Sequence, residues 1–211
     1  DILGFRCDVL EVTAKHGFLR RGADLMDGIV REGANLSEND YTREFINYYR
    51  DLLRIRALYS LSHSEELLRI IGQLVREPIL IHPRHLYHPI FPGRPDHTTH
   101  PHQDFYPVRG TPDTWTVWIP LGDCPPDQGG GLAIVPGSNM GPLIQETEGA
   151  LEEDSEFMNE WSWDPMNAGD VLIFHGMTIH QARDNRTEDC IRLASSFRYQ
   201  SADDPVDVHS L

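Results

Sequence analysis

GDVLIFHGMTIHQARDN, residues 169–185, is the stretch on which the reading of the fold turns. Two short apolar runs end on His175 and His180, with a glycine between them and a polar turn after them. Runs this short, bounded by Gly and polar turn residues, read as strands. The same texture extends in both directions: PILIHPRHLYH from residue 78, TWTVWIPL from 114, GLAIVPGS from 131 and IRLASSFRYQ from 191. Such runs at turn-bounded spacing predict the strands of a β-sandwich or barrel. Residues 1–77 read differently, as mostly helical. In SHSEELLRIIGQLV, residues 62–75, Leu67, Ile70, Ile71 and Leu74 recur at helical spacing. Ser62 or Ser64 is placed to cap that helix, glutamates fill its first turn, and Pro78 is expected to stop it. SENDYTREFINYYRDLLRIRALYSL, residues 37–61, is the other clear helical segment. Residues 141–166 are acidic with little periodicity and read as an insertion or lid within a strand region spanning 78–205.

Composition narrows the partners. Lys and Arg number 18 against 33 Asp and Glu, a net charge of −15, which argues against a nucleic-acid backbone or an anionic membrane surface. Three scattered cysteines suit neither a disulfide framework nor a thiolate zinc site, so a reducing, cytoplasmic compartment is expected. No run approaches a membrane span, and no charged-then-apolar leader opens the chain. Asp1 in place of Met suggests a processed or truncated chain. The 211 residues suit a single domain. Oligomeric state is not legible.

Chemistry concentrates at HPHQD, residues 100–104. If that segment is extended, His102 and Asp104 point to the same side. An H-x-D alone is a weak signal, and a polar loop is its plainer reading. His175 and His180 are five apart, so one continuous strand would turn them to opposite sides, and only one is expected to join Asp104. Two histidines and one carboxylate form a facial triad that leaves coordination positions open, the arrangement of non-haem Fe(II) oxygenases. Zinc remains the alternative. Other histidines have plainer roles: His16, His63 and His209 on the surface, and His82, His85 and His88 as hydrogen-bonded structural groups. His97 and His100 read as solvated loop.

HTTHPHQDFYPVRGTPDTWTVWIPLGDC, GGGLAIVPGSN and GDVLIFHGMTIHQARDNRTEDCIRLASSFRY together resemble the phytanoyl-CoA dioxygenase-like family of Fe(II)/2-oxoglutarate-dependent oxygenases, in order, spacing and flanking residues. The resemblance covers more than half of the chain. It implies a mainly β fold, a double-stranded β-helix or cupin-like jelly-roll core with the N-terminal helices packed outside. It implies Fe(II) held by His102 and Asp104 on an early core strand and His180 on a late one, with 2-oxoglutarate as cosubstrate and O₂ as oxidant. Arg192, one residue beyond the family's commoner spacing from the distal histidine, is expected to clamp the distal carboxylate of 2-oxoglutarate through paired charge-assisted hydrogen bonds. Arg198 shares its strand parity and is the rival. Thr99 and Trp118 match positions that contact the cosubstrate in relatives, though a tryptophan there is equally a core residue. Gln103 is sometimes used near the cosubstrate. Ala182 stands where many relatives have serine, removing one cosubstrate hydrogen bond.

The carboxylate at Asp104 implies hydroxylation over halogenation, since halogenating relatives carry a small residue there. A metal-dependent cupin-type isomerase or hydrolase, or a non-catalytic binding protein, are the competing classes. Against the first, the stretch lacks the glutamate that cupins place after His-x-His and Arg192 would have no evident task; against the second stands the complete triad, an unused cluster of ligands with no structural purpose. A small organic substrate is expected, its identity open. Arg43, Arg50, Arg54 and Arg56 could serve an anionic substrate but read first as a solvated helix face. Trp161, Trp163, Phe157 and Met158 are candidates for an apolar lid.

Overall fold

A computed structural model describes residues 1–36, 42–93, 98–144, 146–147, 150–151 and 160–210. The amino-terminal part is helical, as expected. Helix α1 (Ile2–Lys15) is capped by Asp1, whose side chain accepts from the Leu3 amide at 3.1 Å. Helix α2 (Arg43–Leu52) is capped by Thr42, whose hydroxyl accepts from the Phe45 amide. The segment read as helical over residues 37–61 holds two helices, divided at Leu53–Ile55. There the Arg54 and Ile55 amides reach back only three residues, and α3 (Arg56–Ser62) starts afresh. Helix α4 (Glu65–Ile71) has Ser64 at its cap position, while Ser62 belongs to α3. It ends at Gly72, short of Pro78, where the Gln73 and Leu74 amides reach back only three residues; Leu67 and Ile71 are its buried residues, and Ile70 and Leu74 face outward.

The remainder is mainly β, in two facing antiparallel sheets. The larger holds β1 (Ile79–Ile81), β2 (Leu86–Ile90), β3 (Trp115–Pro120), β7 (Leu172–His175) and β9 (Arg192–Ser201). Strand β9 is its spine. It pairs with β2 and then β1 along one edge, with β3 along the other, and β3 in turn pairs with β7. The smaller sheet pairs β4 (Leu132–Ile134) with β8 (His180–Ala182), widened by bridges from His102 to His180 and from Ile134 to Ser162. A one-turn helix, α5 (Phe105–Val108), and a small hairpin, β5 (Glu146–Thr147) with β6 (Ala150–Leu151), complete the elements that concern the site. This is the jelly-roll architecture expected.

Side-chain alternation divides the large sheet into two working faces. Val117, Ile119, Leu193, Phe197 and Tyr199 face outward and join Val9, Leu10, Leu52, Leu58 and Ile71 of the helices in one buried cluster. Each such aliphatic or aromatic side chain contributes about 1.5–3 kcal/mol on burial. Arg6 of α1 ties the layers together by donating to the carbonyls of Met26 and Leu121 at 3.0 and 3.2 Å. The other face looks between the sheets. Its strand residues are Leu86, His88 and Ile90, then Arg192, Ala194, Ser196 and Arg198, then Thr116 and Trp118. That is why β9 is buried along its whole length although its sequence is half polar.

Candidate active site

The structure brings His102, Asp104 and His180 together, one potential ligand atom from each lying within 4.8 Å of the others. The two histidines exchange backbone hydrogen bonds across the small sheet, at 3.0 and 3.1 Å. Each ring is then fixed by its own backbone. The Nδ1 of His102 meets the His100 carbonyl at 2.8 Å, and that of His180 meets the Thr178 carbonyl at 3.0 Å. A carbonyl only accepts, so both Nδ1 atoms carry the proton and both Nε2 lone pairs are left for a metal. These Nε2 atoms stand 3.8 Å and 4.0 Å from the two oxygens of Asp104.

Asp104 reaches this point by a different route from the one its spacing suggested. It is not on a strand; it opens α5 with helical backbone angles (φ −64°, ψ −11°), because the chain is crossing from the small sheet towards the large one. Its carboxylate, fully buried, is aimed by partners on the large sheet. Arg198 donates from Nη2 to Oδ1 at 2.7 Å and from Nε to Oδ2 at 3.3 Å, and the Thr116 hydroxyl donates to Oδ2 at 2.5 Å. Burial opposes ionisation, but the Arg198 guanidinium, through its charge and its hydrogen bonds, outweighs that and holds the carboxyl far below the usual carboxylate range. Burial likewise pushes the His102 imidazole down and that of His180 to about 3. An ionised carboxylate and two neutral imidazoles suit a divalent ion with open positions, and the residues fit an iron site.

A cavity of about 710 Å³ runs from this triad between the sheets and out to α2 and α3. Arg192, Thr99, Trp118 and Ala182 all line it. Arg192 is buried and donates to the Gly129 carbonyl at 2.6 Å and to the Cys124 sulfur. Gly130 adopts φ +65° against it, and a Cβ at that position would overlap the guanidinium. Arg198, the rival arginine, is committed to Asp104. Trp118 lines the cavity and also packs with Phe174, Leu132 and Ala194. Gln103 faces away and serves the fold, donating to the Met177 carbonyl at 2.7 Å and accepting from the Ile144 amide at 2.9 Å.

Of His175 and His180 only the latter joins the triad, as expected, while some other expectations land elsewhere. His175 sits outside the triad, against Asp113 at 3.4 Å and the edge of Trp115. His16 is half-buried, paired with Asp51 at 2.9 Å. His82, His85 and His88 are hydrogen-bonded, to Gln200, Ser62 and Ser196, but His85 and His88 also line the cavity. Trp161 and Trp163 do not cover the cavity. Trp161 packs on the Val135–Ile179 cluster, and the Arg183 guanidinium lies 3.4 Å over the Trp163 ring. Phe157, Met158 and His97 lie outside the described residues. Sequence reasoning missed Thr116 and the clamp of Arg198 on Asp104, for which shared strand parity was the sole signal.

Residues 10–194 match the phytanoyl-CoA dioxygenase (PhyH) family, and the chain belongs to it. No curated protein matches the chain. Among solved structures, it is similar to the epimerase SnoN in complex with Fe³⁺, α-ketoglutarate and nogalamycin RO, with 19% identity and a TM-score of 0.62 over 97% of this chain and 78% of that one. It is similar to the α-ketoglutarate-dependent carbocyclase SnoK from nogalamycin biosynthesis, with 24% identity and a TM-score of 0.58 over 97% and 76%. HygX from Streptomyces hygroscopicus, bound to nickel, 2-oxoglutarate and hygromycin B, shares 17% identity at a TM-score of 0.54 over 71% and 66%. At these identities the likeness is one of fold. Family membership and the triad make this an enzyme of the iron- and 2-oxoglutarate-dependent oxygenase type.

Proposed function

We propose that the chain is a single oxygenase domain that hydroxylates a small organic substrate with decarboxylation of 2-oxoglutarate to succinate. The observation that carries this is one cavity whose wall holds the His102–Asp104–His180 triad and a second, separate arginine, Arg192. His102, Asp104 and His180 would hold Fe(II). Bound iron and 2-oxoglutarate together supply the O₂-activating chemistry. Arg198 and Thr116 keep Asp104 ionised and correctly turned. Arg192 offers its planar donor fork to the distal carboxylate of 2-oxoglutarate. Thr99 and Trp118 border the same space, and Ala182 leaves the cosubstrate without the hydroxyl contact that a serine would provide. The β-sheet walls exclude water and hold one substrate C–H near the metal position.

The carboxylate of Asp104 favours hydroxylation over halogenation. SnoN, SnoK and HygX are described with small-molecule natural products, which supports a substrate of that kind here. Because fold relatives include an epimerase and a carbocyclase, the product decides the reaction. Mass spectrometry is expected to show the substrate gaining one oxygen; an unchanged mass means epimerisation, and loss of two hydrogens means ring closure or desaturation.

Anaerobic titration of metal-free protein with Fe(II) and then 2-oxoglutarate tests the site itself. We expect the weak visible charge-transfer band of the chelate, absent in Asp104→Ala and weakened in Arg192→Ala. Metal binding without a band would favour a cupin-type isomerase or hydrolase. No metal binding would favour a non-catalytic binding protein.

A further inference from the structure

The chain carries 33 acidic against 18 basic residues, yet the described residues that line its cavity reverse that balance. Four arginines, Arg50, Arg84, Arg192 and Arg198, face it against a single carboxylate, that of Asp104. Arg198 is engaged by Asp104, and Arg192 has the cosubstrate role proposed above. Arg50 and Arg84 are left. Both are exposed, and neither has a carboxylate partner among the described residues. Arg50 bonds the amide oxygen of Asn47 in its own helix. Arg20, Arg54 and Arg76 pair with Asp189, Asp51 and Asp204 at 2.8–3.0 Å. Arg43, Arg56 and Arg69 have no carboxylate partner among the described residues either, so what sets Arg50 and Arg84 apart is that they line the cavity. Of the arginine run Arg43, Arg50, Arg54 and Arg56, only Arg50 lines the cavity.

The surface beside these two arginines is apolar and aromatic. Phe45, Ile46, Tyr49 and Tyr59 line the same part of the cavity, with Ile46 49% and Tyr59 42% exposed. Phe45 and Tyr49 stack on each other at 5.5 Å, and Tyr59 stacks on His85 at 5.0 Å. Exposed apolar side chains around a concave site mark a place for an apolar ligand body. Flat rings match flat rings in this geometry.

Building on the oxygenase reading, we propose that the primary substrate is an aromatic or polycyclic acid. Its ring system lies against Phe45, Tyr49 and Tyr59, and its acidic group sits between Arg50 and Arg84 at the outer end of the cavity. A cationic substrate would meet unpaired guanidinium groups and lose their hydration without compensation.

The test is calorimetric titration of the enzyme loaded anaerobically with Fe(II) and 2-oxoglutarate, using 2-naphthoate, its neutral isostere 2-naphthamide, (2-naphthyl)methylammonium and straight-chain octanoate. The expected result is that naphthoate binds about tenfold more tightly than naphthamide, as two solvent-screened charge contacts allow. The ammonium compound should not bind, and octanoate should bind more weakly than naphthoate. Arg50→Ala with Arg84→Ala should bring naphthoate to the naphthamide level and leave the metal–cosubstrate band unchanged. Equal affinities for naphthoate and naphthamide, or a preference that survives the double substitution, overturns the acid site. Octanoate binding as well as naphthoate overturns the ring site, and no binding by any probe overturns both. Absence of the band in the parent enzyme is a different failure, that of the oxygenase reading.

Discussion

Replacing Arg198 by Met separates the two arginines of β9 by function. Methionine keeps much of the bulk and removes the charge. In the metal-free protein Asp104, which is fully buried, would lose its two bonds from Arg198 and keep the one from Thr116. Removing one partner of a buried ion pair costs about 3–5 kcal/mol, because the remaining charge is desolvated without compensation. For urea slopes of about 2–3 kcal/mol/M, the unfolding midpoint falls by about 1–2.5 M. A divalent ion supplies the missing positive charge, so added metal should stabilise the variant more than the wild type and close most of the gap. Substituting Asp104→Leu in addition should give a metal-free protein more stable than Arg198→Met alone, since no buried charge then remains. The assay is urea unfolding in chelator and again with saturating Co(II) as a redox-stable substitute. A metal-free penalty within about 1 kcal/mol of wild type, the range of screened surface pairs, would refute the argument. The same assay separates the two arginines: Arg198→Met should still develop the full 2-oxoglutarate band, whereas Arg192→Met, like Arg192→Ala, should show it weakened.

Gly130→Ala should weaken 2-oxoglutarate binding by about ten- to a hundredfold, because the new methyl displaces the Arg192 guanidinium; titration of the band, with metal affinity as the control, checks this, and unchanged cosubstrate affinity contradicts it. Burial lowers the pKa of His82 and His85 from 6.5 and brings His88 to about 4. These imidazoles bind fewer protons folded than unfolded, so their stabilisation is complete above pH 6.5 and is lost as pH falls towards 4. The limiting slope is about 1.4 kcal/mol per pH unit for each imidazole, and a flat unfolding free energy from pH 6.5 to 4.5 in chelator would count against it. Gln103→Ala leaves the Met177 carbonyl and the Ile144 amide without their side-chain partner, at a cost of about 1–3 kcal/mol each if they stay buried; faster amide exchange at Ile144 reports the loss.

Some of this site was legible in the chain and some was not, and the division follows which physical information a sequence holds. The triad was legible because His102 and Asp104 are sequence-local and His180 closes a turn-bounded apolar run. The proton positions that free both Nε2 atoms were not, since they depend on the backbone path at His100 and Thr178. Asp104 was assigned by strand alternation and arrives on a helical turn. The two agree in outcome because Arg198 and Thr116, not the local backbone period, aim its carboxylate.

The choice between Arg192 and Arg198 shows where the limit lies. Both have the same parity on β9, so alternation places both inside and separates neither. Register separates them: Arg198 lies opposite Thr116 of β3 and Arg192 opposite Ile90 of β2, about 20 Å apart along the strand at 3.3 Å per residue. One arginine therefore meets the carboxylate crossing from the small sheet, and the other meets the Gly129–Gly131 turn. Register is set by contacts between distant segments, which a single chain read locally does not contain. The same holds for α2 and α3. Their helical period was plain, but that Arg50, alone of Arg43, Arg50, Arg54 and Arg56, lines the cavity depends on how α2 packs beside the strands, which the local period does not contain.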